Sequence, residues 1–239
     1  MELLKKMLTT PSVSGSELHF QKMLIEEMKE IDDFVITHQS YNVIHGINKD
    51  SNVKVMMLAH VDEIGLVIED VEANGICKMT NIGAIRPEMY MGQQVYVVKY
   101  IDGKPTYVNG VIGYTPNYKA GNVSVLDLNL DLGTTSKEET LKLISIGDPV
   151  VHVIDYQELQ NDFLAGRALD DKLGAYIALE TLRRCKEQGT KLGVYASSTV
   201  GEETTGRGAK MAAEVVNPTC CIVFDVSYAT DINYLSGLT

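Results

Sequence analysis

Apolar residues near the amino terminus are spaced as they are in helices. A short helix is predicted over Met1–Leu8, and apolar positions recur at near-helical spacing through a second helix, predicted over residues 16–31. Ser14 followed by Glu17 is typical of a capping box, in which both side chains accept backbone N–H groups at the start of the helix. We interpret both helices as scaffold.

Three short apolar runs farther along the chain predict buried strands, and each leads into residues that could carry chemistry. The runs are Val53–Ala59 followed by His60, Leu192–Val200 followed by Glu202 and Glu203, and Cys220–Phe224 followed by Asp225. Helical stretches at Lys172–Glu187 and Arg207–Val215 precede the second and third of these strands. This alternation predicts a three-layer α/β/α domain, in which a ligand binds beyond the carboxyl ends of the strands.

The stretch between the first of these strands and the other two has a different character. Residues 66–154 are rich in β-branched residues and turn signals, with helical periodicity only at Ser136–Ile144. This composition predicts a small β-barrel-like domain. Because candidate site residues lie on both sides of it, we expect the β domain to be inserted into a discontinuous catalytic domain made of residues 1–65 and 155–239.

Composition narrows the choice of partners. The chain carries 32 acidic against 21 basic residues, a formal net charge of −11, which disfavours binding to nucleic acid or to an anionic membrane. No apolar run approaches the roughly 18 residues of a membrane span, and the first residues lack the apolar core of a secretory signal, so we expect a cytoplasmic protein. The four cysteines have no CxxC spacing, which favours reduced, mostly buried thiols.

Each candidate residue taken alone has an ordinary structural explanation. A histidine two residues before a carboxylate, as in His60 and Asp62, is more often a hydrogen-bonded feature than a metal site. Asp170 or Asp171 could cap the helix that follows, and paired glutamates are usually solvated. Together, however, one histidine and several carboxylates at consecutive strand ends form the nitrogen and oxygen ligand set of paired divalent metals.

Four ordered motifs resemble the glutamyl and tetrahedral aminopeptidase family of dinuclear metallopeptidases, some members of which have been labelled endoglucanases. They are AHVDEIG at 59–65, GRALDDKLG at 166–174, TVGEET at 199–204 and FDVSYATD at 224–231. The resemblance covers essentially the whole chain. It implies an enzyme that removes amino-terminal residues from peptides through a water bridged by two divalent ions, and it implies a homo-oligomeric assembly.

The resemblance also implies a role for each motif residue. Asp170 would bridge two ions of zinc, cobalt or manganese, His60 and Asp225 would complete one metal site, Glu203 would bind the other ion, Glu202 would be the general base, and Asp62 would orient His60. The peptide bond between Asp170 and Asp171 is expected to be cis. The other histidines, His19, His38, His45 and His152, match none of the family's ligand positions and are expected to be structural or exposed.

One departure from the family bears on activity. The family's second metal site takes a further histidine from a segment near its carboxyl end, whereas this sequence stops at Thr239. We therefore expect a fragment or a truncated gene product that holds one metal better than two and turns over poorly. The rival hypothesis is a non-catalytic remnant that binds metal or peptide. A glycoside hydrolase using Glu202 and Asp170 is a third hypothesis, but it leaves the His-x-Asp pair and Asp225 without a role.

Overall fold

The computed structural model describes residues 1–115, 123–153 and 156–229, in which two sheets and a closed barrel are accompanied by six α-helices. The strands are Phe34–Thr37 (β1), Val43–Ile47 (β2), Lys54–His60 (β3), Gly65–Val71 (β4), Cys77–Ile82 (β5), Gln94–Ile101 (β6), Lys104–Tyr114 (β7), Leu128–Asp131 (β8), Pro149–His152 (β9), Gln157–Glu158 (β10), Leu164–Ala165 (β11), Gly193–Thr199 (β12) and Cys220–Val223 (β13). The helices are Glu2–Thr9 (α1), Leu18–Met28 (α2), Lys137–Leu143 (α3), Leu169–Glu187 (α4), Glu202–Thr205 (α5) and Arg207–Val216 (α6).

The larger sheet has the strand order β1-β2-β12-β3-β13 and forms the middle layer of a three-layer α/β/α unit. Strand β3 pairs in parallel with β12 on one side and with β13 on the other, while β12 pairs with β2 in antiparallel fashion. Apolar side chains of α1, α2 and α4, among them Met7, Phe20 and Leu179, pack on one face of this sheet. Ala212 and Val216 of α6 cover the other face. The predicted fold class is therefore confirmed.

The second unit is a closed barrel in the order β4-β5-β8-β7-β6-β9. It closes because β9 pairs with β4 through Leu66 and Val150 and with β6 through Val97 and Val150. The interior is apolar, as expected from inward-facing residues that alternate along the strands. Apart from Gly65, the first residue of β4, the barrel strands lie within residues 66–154, the region predicted to be an inserted domain. The proposed boundary at residues 154–155 lies outside the described residues, and the domain division stays a prediction.

The start of α2 differs from the sequence prediction. The helix begins at Leu18 rather than Ser16, its N-cap is Glu17, and no side chain caps it. The predicted capping box is therefore wrong. The Ser14 hydroxyl donates instead to Oδ2 of Asp62, 2.8 Å away. This serine therefore binds the segment that follows β3 rather than the start of the helix.

The edge strand β13 is exposed along its whole length, from Cys220 to Val223. On its inner side it pairs with β3, so the residues that follow it emerge beside the end of β3. All four cysteines are free in the structure, as expected from their spacing, but the expectation that they are mostly buried is wrong, because Cys220 and Cys221 lie on this exposed edge strand. Within the described ranges, no helix is both long and apolar enough to cross a bilayer.

Candidate metal centre and active site

The candidate residues lie where the carboxyl ends of three neighbouring parallel strands meet. His60 is the last residue of β3 and pairs in register with Thr199, the last residue of β12. The chain then turns at Gly201, whose φ of +70° is readily adopted by glycine, and enters α5 with Glu202. Asp225 follows the adjacent β13. Parallel pairing thus brings three distant segments to one edge of the sheet.

His60, Asp170 and Asp225 form a compact group. One potential ligand atom from each residue lies within 4.8 Å of those of the other two, and Nε2 of His60 is 3.0 Å from Oδ1 of Asp170. The imidazole is buried, at 4% exposure, while both carboxylates are open to solvent. Among the residues that the structure describes, this is the one group of three or more side chains arranged in this way.

The orientation of His60 is set by the backbone of Asp62. Nδ1 of His60 lies 2.9 Å from the Asp62 carbonyl oxygen, which can only accept, so Nδ1 carries the proton and Nε2 faces Asp170. The Asp62 carboxylate is farther away, with Oδ1 3.7 Å from Nδ1. Burial lowers the pKa of His60, but the negative charges of Asp62 and Asp170 outweigh this effect, and the pKa is raised.

The segment that carries Asp170 is irregular. Ala168, the N-cap of α4, has a φ of +58°, and Asp170 and Asp171 both have non-helical dihedral angles. The bond between Asp170 and Asp171 is cis, as the resemblance implies. Oδ1 of Asp171 accepts the N–H of Gly174 at 3.1 Å, and a Cβ on Gly174 would lie 2.4 Å from that same oxygen. The glycine in this motif thus makes room for a buried carboxylate.

The Asp62 carboxylate holds the α5 turn. Its Oδ1 accepts the N–H of Glu202 at 3.0 Å, and its Oδ2 accepts the N–H of Glu203 at 3.2 Å in addition to the Ser14 hydroxyl. Asp62 is fully buried, so these three donors compensate its charge in place of water. Asp62 therefore fixes the backbone from which the two glutamates project.

The two glutamates face different surroundings. Oε2 of Glu202 lies 3.9 Å from Nε2 of His60, and the side chain is about half exposed. Glu203 lines the same cavity as Asp170, and burial followed by repulsion from Asp170 raises its pKa to about 7. Burial also raises the pKa of Asp171 to about 7, with Asp225 and Asp170 adding to the shift.

These properties fit a divalent cation. An imidazole nitrogen and carboxylate oxygens are the donors that zinc, cobalt and manganese accept, and the tautomer of His60 leaves Nε2 free to bind. Several acidic groups are crowded together, and burial together with repulsion between carboxylates raises the pKa of Asp171 and Glu203. A bound cation would stabilise the ionised form of such groups, so the residues present are suited to hold one.

A cavity of about 700 Å³ opens beside this centre. Asp170, Glu203 and Arg167 line one part of it, and barrel-side residues including Arg86 and Tyr90 line another. The cavity is therefore bounded by both units, with the acidic centre along one side. A volume of this size is within the range that accommodates small organic ligands.

Sequence reasoning missed a buried ion cluster behind the centre, formed by Glu63, Arg167 and Lys172. Burial disfavours the charged Glu63, but Lys172 and Arg167 outweigh this effect and lower its pKa to about 2. Burial lowers the pKa of Lys172 to about 8 despite the attraction of Glu63. The Glu63 shift favours its charged form while the Lys172 shift disfavours its charged form, because Glu63 is attracted by two cations whereas Lys172 is attracted by Glu63 and repelled by Arg167. The available signal was a glutamate three residues after the end of a buried strand.

The remaining histidines lie in other places, as expected. His19 contacts the Gly103 carbonyl, and His38 hydrogen-bonds with Ser40. Nδ1 of His45 is 2.6 Å from Asp32 in a buried pair, and His152 stacks on Tyr90 with ring centroids 4.2 Å apart. Thr230 and Asp231 of the last motif lie outside the described residues.

Comparison with known proteins matches the M42 glutamyl aminopeptidase family to residues 41–237. The lysyl aminopeptidase of Pyrococcus furiosus is 29% identical over 241 residues, an alignment that covers 97% of this chain and 68% of that relative.

Solved structures give the same picture. The TET aminopeptidase of Thaumarchaeota archaeon SCGC AB-539-E09 superposes with a TM-score of 0.89 at 30% identity, covering 98% of this chain and 67% of that one. The TET1 peptidase of Pyrococcus horikoshii, which can assemble into a tetrahedron or a large octahedral shell, superposes with a TM-score of 0.82 at 28% identity, covering 94% and 68%. The chain thus spans about two thirds of the length of these three relatives. A family match that includes every candidate site residue means that this chain belongs to the M42 glutamyl aminopeptidase family.

Proposed function

We propose that the protein is a metal-dependent aminopeptidase whose centre is built on His60, Asp170 and Asp225. The observation that carries the proposal is the convergence of these three side chains at the carboxyl edge of the sheet in a chain of this family. In this proposal the three residues hold one divalent ion, while Asp170 and Glu203 hold a second. Bound zinc, cobalt or manganese supplies Lewis-acid polarisation of a peptide carbonyl and of water.

Glu202 is proposed as the general base. Its backbone N–H is anchored on Asp62, its carboxylate reaches toward His60, and about half of its side chain is exposed. A carboxylate in this position can take a proton from an attacking water and return it to the leaving amine. Asp62 would act through two contacts, one with its carbonyl on His60 and one with its carboxylate on the α5 turn.

The substrate is proposed to be a peptide with a free amino terminus, bound in the cavity between the acidic centre and the barrel. The exposed carboxylates of Asp170 and Asp225 offer partners for an ammonium group beside the metals. A homo-oligomeric assembly is also proposed, because the P. horikoshii relative assembles into closed particles.

A second candidate function is metal binding without turnover. It is favoured by the arrangement of the described residues, in which one group of three ligands converges while Glu203 stands outside that group. In this case the ion at His60, Asp170 and Asp225 is bound and the ion at Glu203 is not, and peptides are not hydrolysed because the second ion is missing. A glycoside hydrolase is not favoured, because His60 and Asp225 would then serve no purpose beside Asp170.

The test is hydrolysis of an aminoacyl-anilide panel by the purified chain supplied with cobalt, zinc or manganese. The proposal predicts turnover that requires a free α-amino group, so N-acetylated substrates serve as the matched control. Chelation should abolish it, and Glu202→Gln should lower it by at least about 100-fold. Metal binding with no turnover on any anilide supports the second candidate, and cleavage of cello-oligosaccharides would contradict both.

A further inference from the structure

Glu63 is a buried carboxylate that the proposed mechanism does not use. It is 2% exposed and stands one residue after Asp62. Its Oε1 accepts the N–H of Ser12 at 2.7 Å and the Nζ of Lys172 at 3.2 Å, and its Oε2 accepts Nη1 of Arg167. Both carboxylate oxygens thus accept hydrogen bonds, and two of the three donors are cations.

The two cations bracket the segment that carries Asp170. Arg167 stands three residues before this aspartate, and Lys172 stands two residues after it. Each cation has a second anchor at the carboxyl end of α1, since Arg167 also donates to the Leu8 carbonyl at 3.3 Å and Lys172 donates to the carbonyl of the C-cap Thr10 at 2.8 Å. The segment is therefore tied at both ends to Glu63 and to the carboxyl end of α1.

Helical hydrogen bonding supplies only part of this restraint. Within the first turn of α4 the dihedral angles of Asp170 and Asp171 are non-helical, and Ala168 is left-handed. The backbone contact that spans the turn, from the Lys172 N–H to the Ala168 carbonyl, is 3.3 Å long. The carboxylate of Asp170 itself is more than half exposed, so packing does not fix it either.

We propose that Glu63 is a positioning residue, which through Arg167 and Lys172 holds the segment from 167 to 172 so that Asp170 faces His60. We call the contacts of Glu63 with Arg167 and Lys172 the clamp. The consequence of the clamp for metal binding rests on the proposed function, whereas the clamp itself does not. With Asp62 holding the α5 turn, the dipeptide Asp62-Glu63, which begins two residues after His60, connects both acidic segments of the centre to the end of β3.

A glutamate is suited to this position for a physical reason. Its two oxygens accept two cations and one backbone N–H at once, and the low polarity around Lys172, whose Nζ lies 4.8 Å from the centre of the Phe20 ring, strengthens each contact. Replacement by glutamine keeps the shape but leaves both cations without a buried counter-charge. The clamp should then loosen where it is anchored, at Arg167 and Lys172.

A purely structural role is separated from positioning by a matched control. Asp32→Asn also removes the carboxylate of a buried pair, which Asp32 forms with His45 on β2. This pair is distant from the candidate centre, because β12 separates β2 from β3 in the sheet. The substitution should destabilise the fold without touching the segment. Arg167→Gln is the second variant, because it leaves Glu63 and Lys172 as a one-to-one pair and is expected to fold even where Glu63→Gln does not.

The first readout is hydrogen–deuterium exchange in the metal-free protein. Amides from 168 to 174 should exchange about tenfold faster in Glu63→Gln and Arg167→Gln than in wild type, while Asp32→Asn leaves them unchanged. Equal acceleration of this segment in Asp32→Asn, or none in either clamp variant, would overturn the proposal.

The second readout is cobalt affinity, measured by absorption titration. The clamp variants should bind cobalt about 10- to 100-fold more weakly, as is typical when a group supporting a metal ligand is lost, and Asp32→Asn should bind it as wild type does. Faster exchange in Glu63→Gln and Arg167→Gln, together with a wild-type protein that binds no cobalt, would support the positioning role of Glu63 and refute the proposed function. Unchanged cobalt affinity in both clamp variants would refute the positioning of Asp170.

Discussion

The backbone N–H of Glu202 donates to Oδ1 of Asp62 at 3.0 Å, which fixes the start of α5 to the residue two beyond the end of β3. The same Asp62 offers its carbonyl to Nδ1 of His60. One residue therefore sets both the orientation of the candidate metal-binding imidazole and the place of the candidate base. The role assigned to each glutamate can be tested separately, because only one of them is proposed to touch a metal.

Glu202→Gln should lower kcat by about 10²- to 10⁴-fold, the range expected for loss of a general base, while metal content stays the same. Glu203→Gln is the companion variant and should lose metal as well as activity. Metal content is measured on the dialysed proteins by elemental analysis. Equal loss of metal in both variants would show that Glu202 is a ligand rather than a base.

Asp225→Asn should weaken cobalt binding at least about tenfold, because it removes one charged donor from the group with His60 and Asp170. Glu214→Gln is the matched control, since Glu214 is an exposed acid on α6 outside this group. Titration calorimetry of the three proteins provides the comparison. Wild-type affinity in Asp225→Asn would remove this aspartate from the site.

Stability in acid should depend on Glu63. Its pKa falls from 4.5 to about 2 in the folded protein, so its contribution is complete above about pH 4.5 and is lost as the pH falls through about 2. The shift corresponds to about 3 kcal/mol at most. Urea unfolding should therefore show Glu63→Gln less stable than wild type at pH 5, with the difference shrinking toward pH 2. A difference that does not change with pH would contradict the ionised, ion-paired state of Glu63.

Metal should stabilise the folded chain. A cation at about one hundred times its Kd adds about 2.7 kcal/mol, which for a chain of this size raises Tm by about 5–10 °C. Asp170→Asn should lose this shift. Differential scanning with and without cobalt is the measurement, and magnesium is a useful control because it favours octahedral oxygen sites over imidazole. An equal cobalt shift in wild type and Asp170→Asn would place the ion elsewhere.

Much of the α/β unit could be predicted because its strands are continuous apolar runs. The run before His60 became β3, and the runs before Glu202 and Asp225 became β12 and β13, each within a residue or two of the predicted bounds. Parallel strands buried in a sheet leave this signature, and their carboxyl ends meet regardless of the details of the loops.

Other features depended on contacts that periodicity does not encode. The spacing of Ser14 is that of a helix cap, yet its hydroxyl donates to the buried carboxylate of Asp62, 48 residues away, and does not cap the helix. The closure of the barrel rests on pairing of β4 with β9, which are about 80 residues apart. Glu63 was overlooked because a charged residue after a strand is usually exposed, whereas here two cations make its burial possible.

The decisive measurement is a cobalt titration of the metal-free polypeptide of residues 1–239, followed by absorption and run in parallel with the double variant His60→Ala, Asp170→Asn. The arrangement of His60, Asp170 and Asp225 predicts that wild type binds one cobalt ion tightly. A second ion, with Asp170 and Glu203 as its protein ligands, should bind much more weakly. The double variant should bind no cobalt tightly. Tight binding that survives in the double variant would contradict a metal centre at this edge of the sheet.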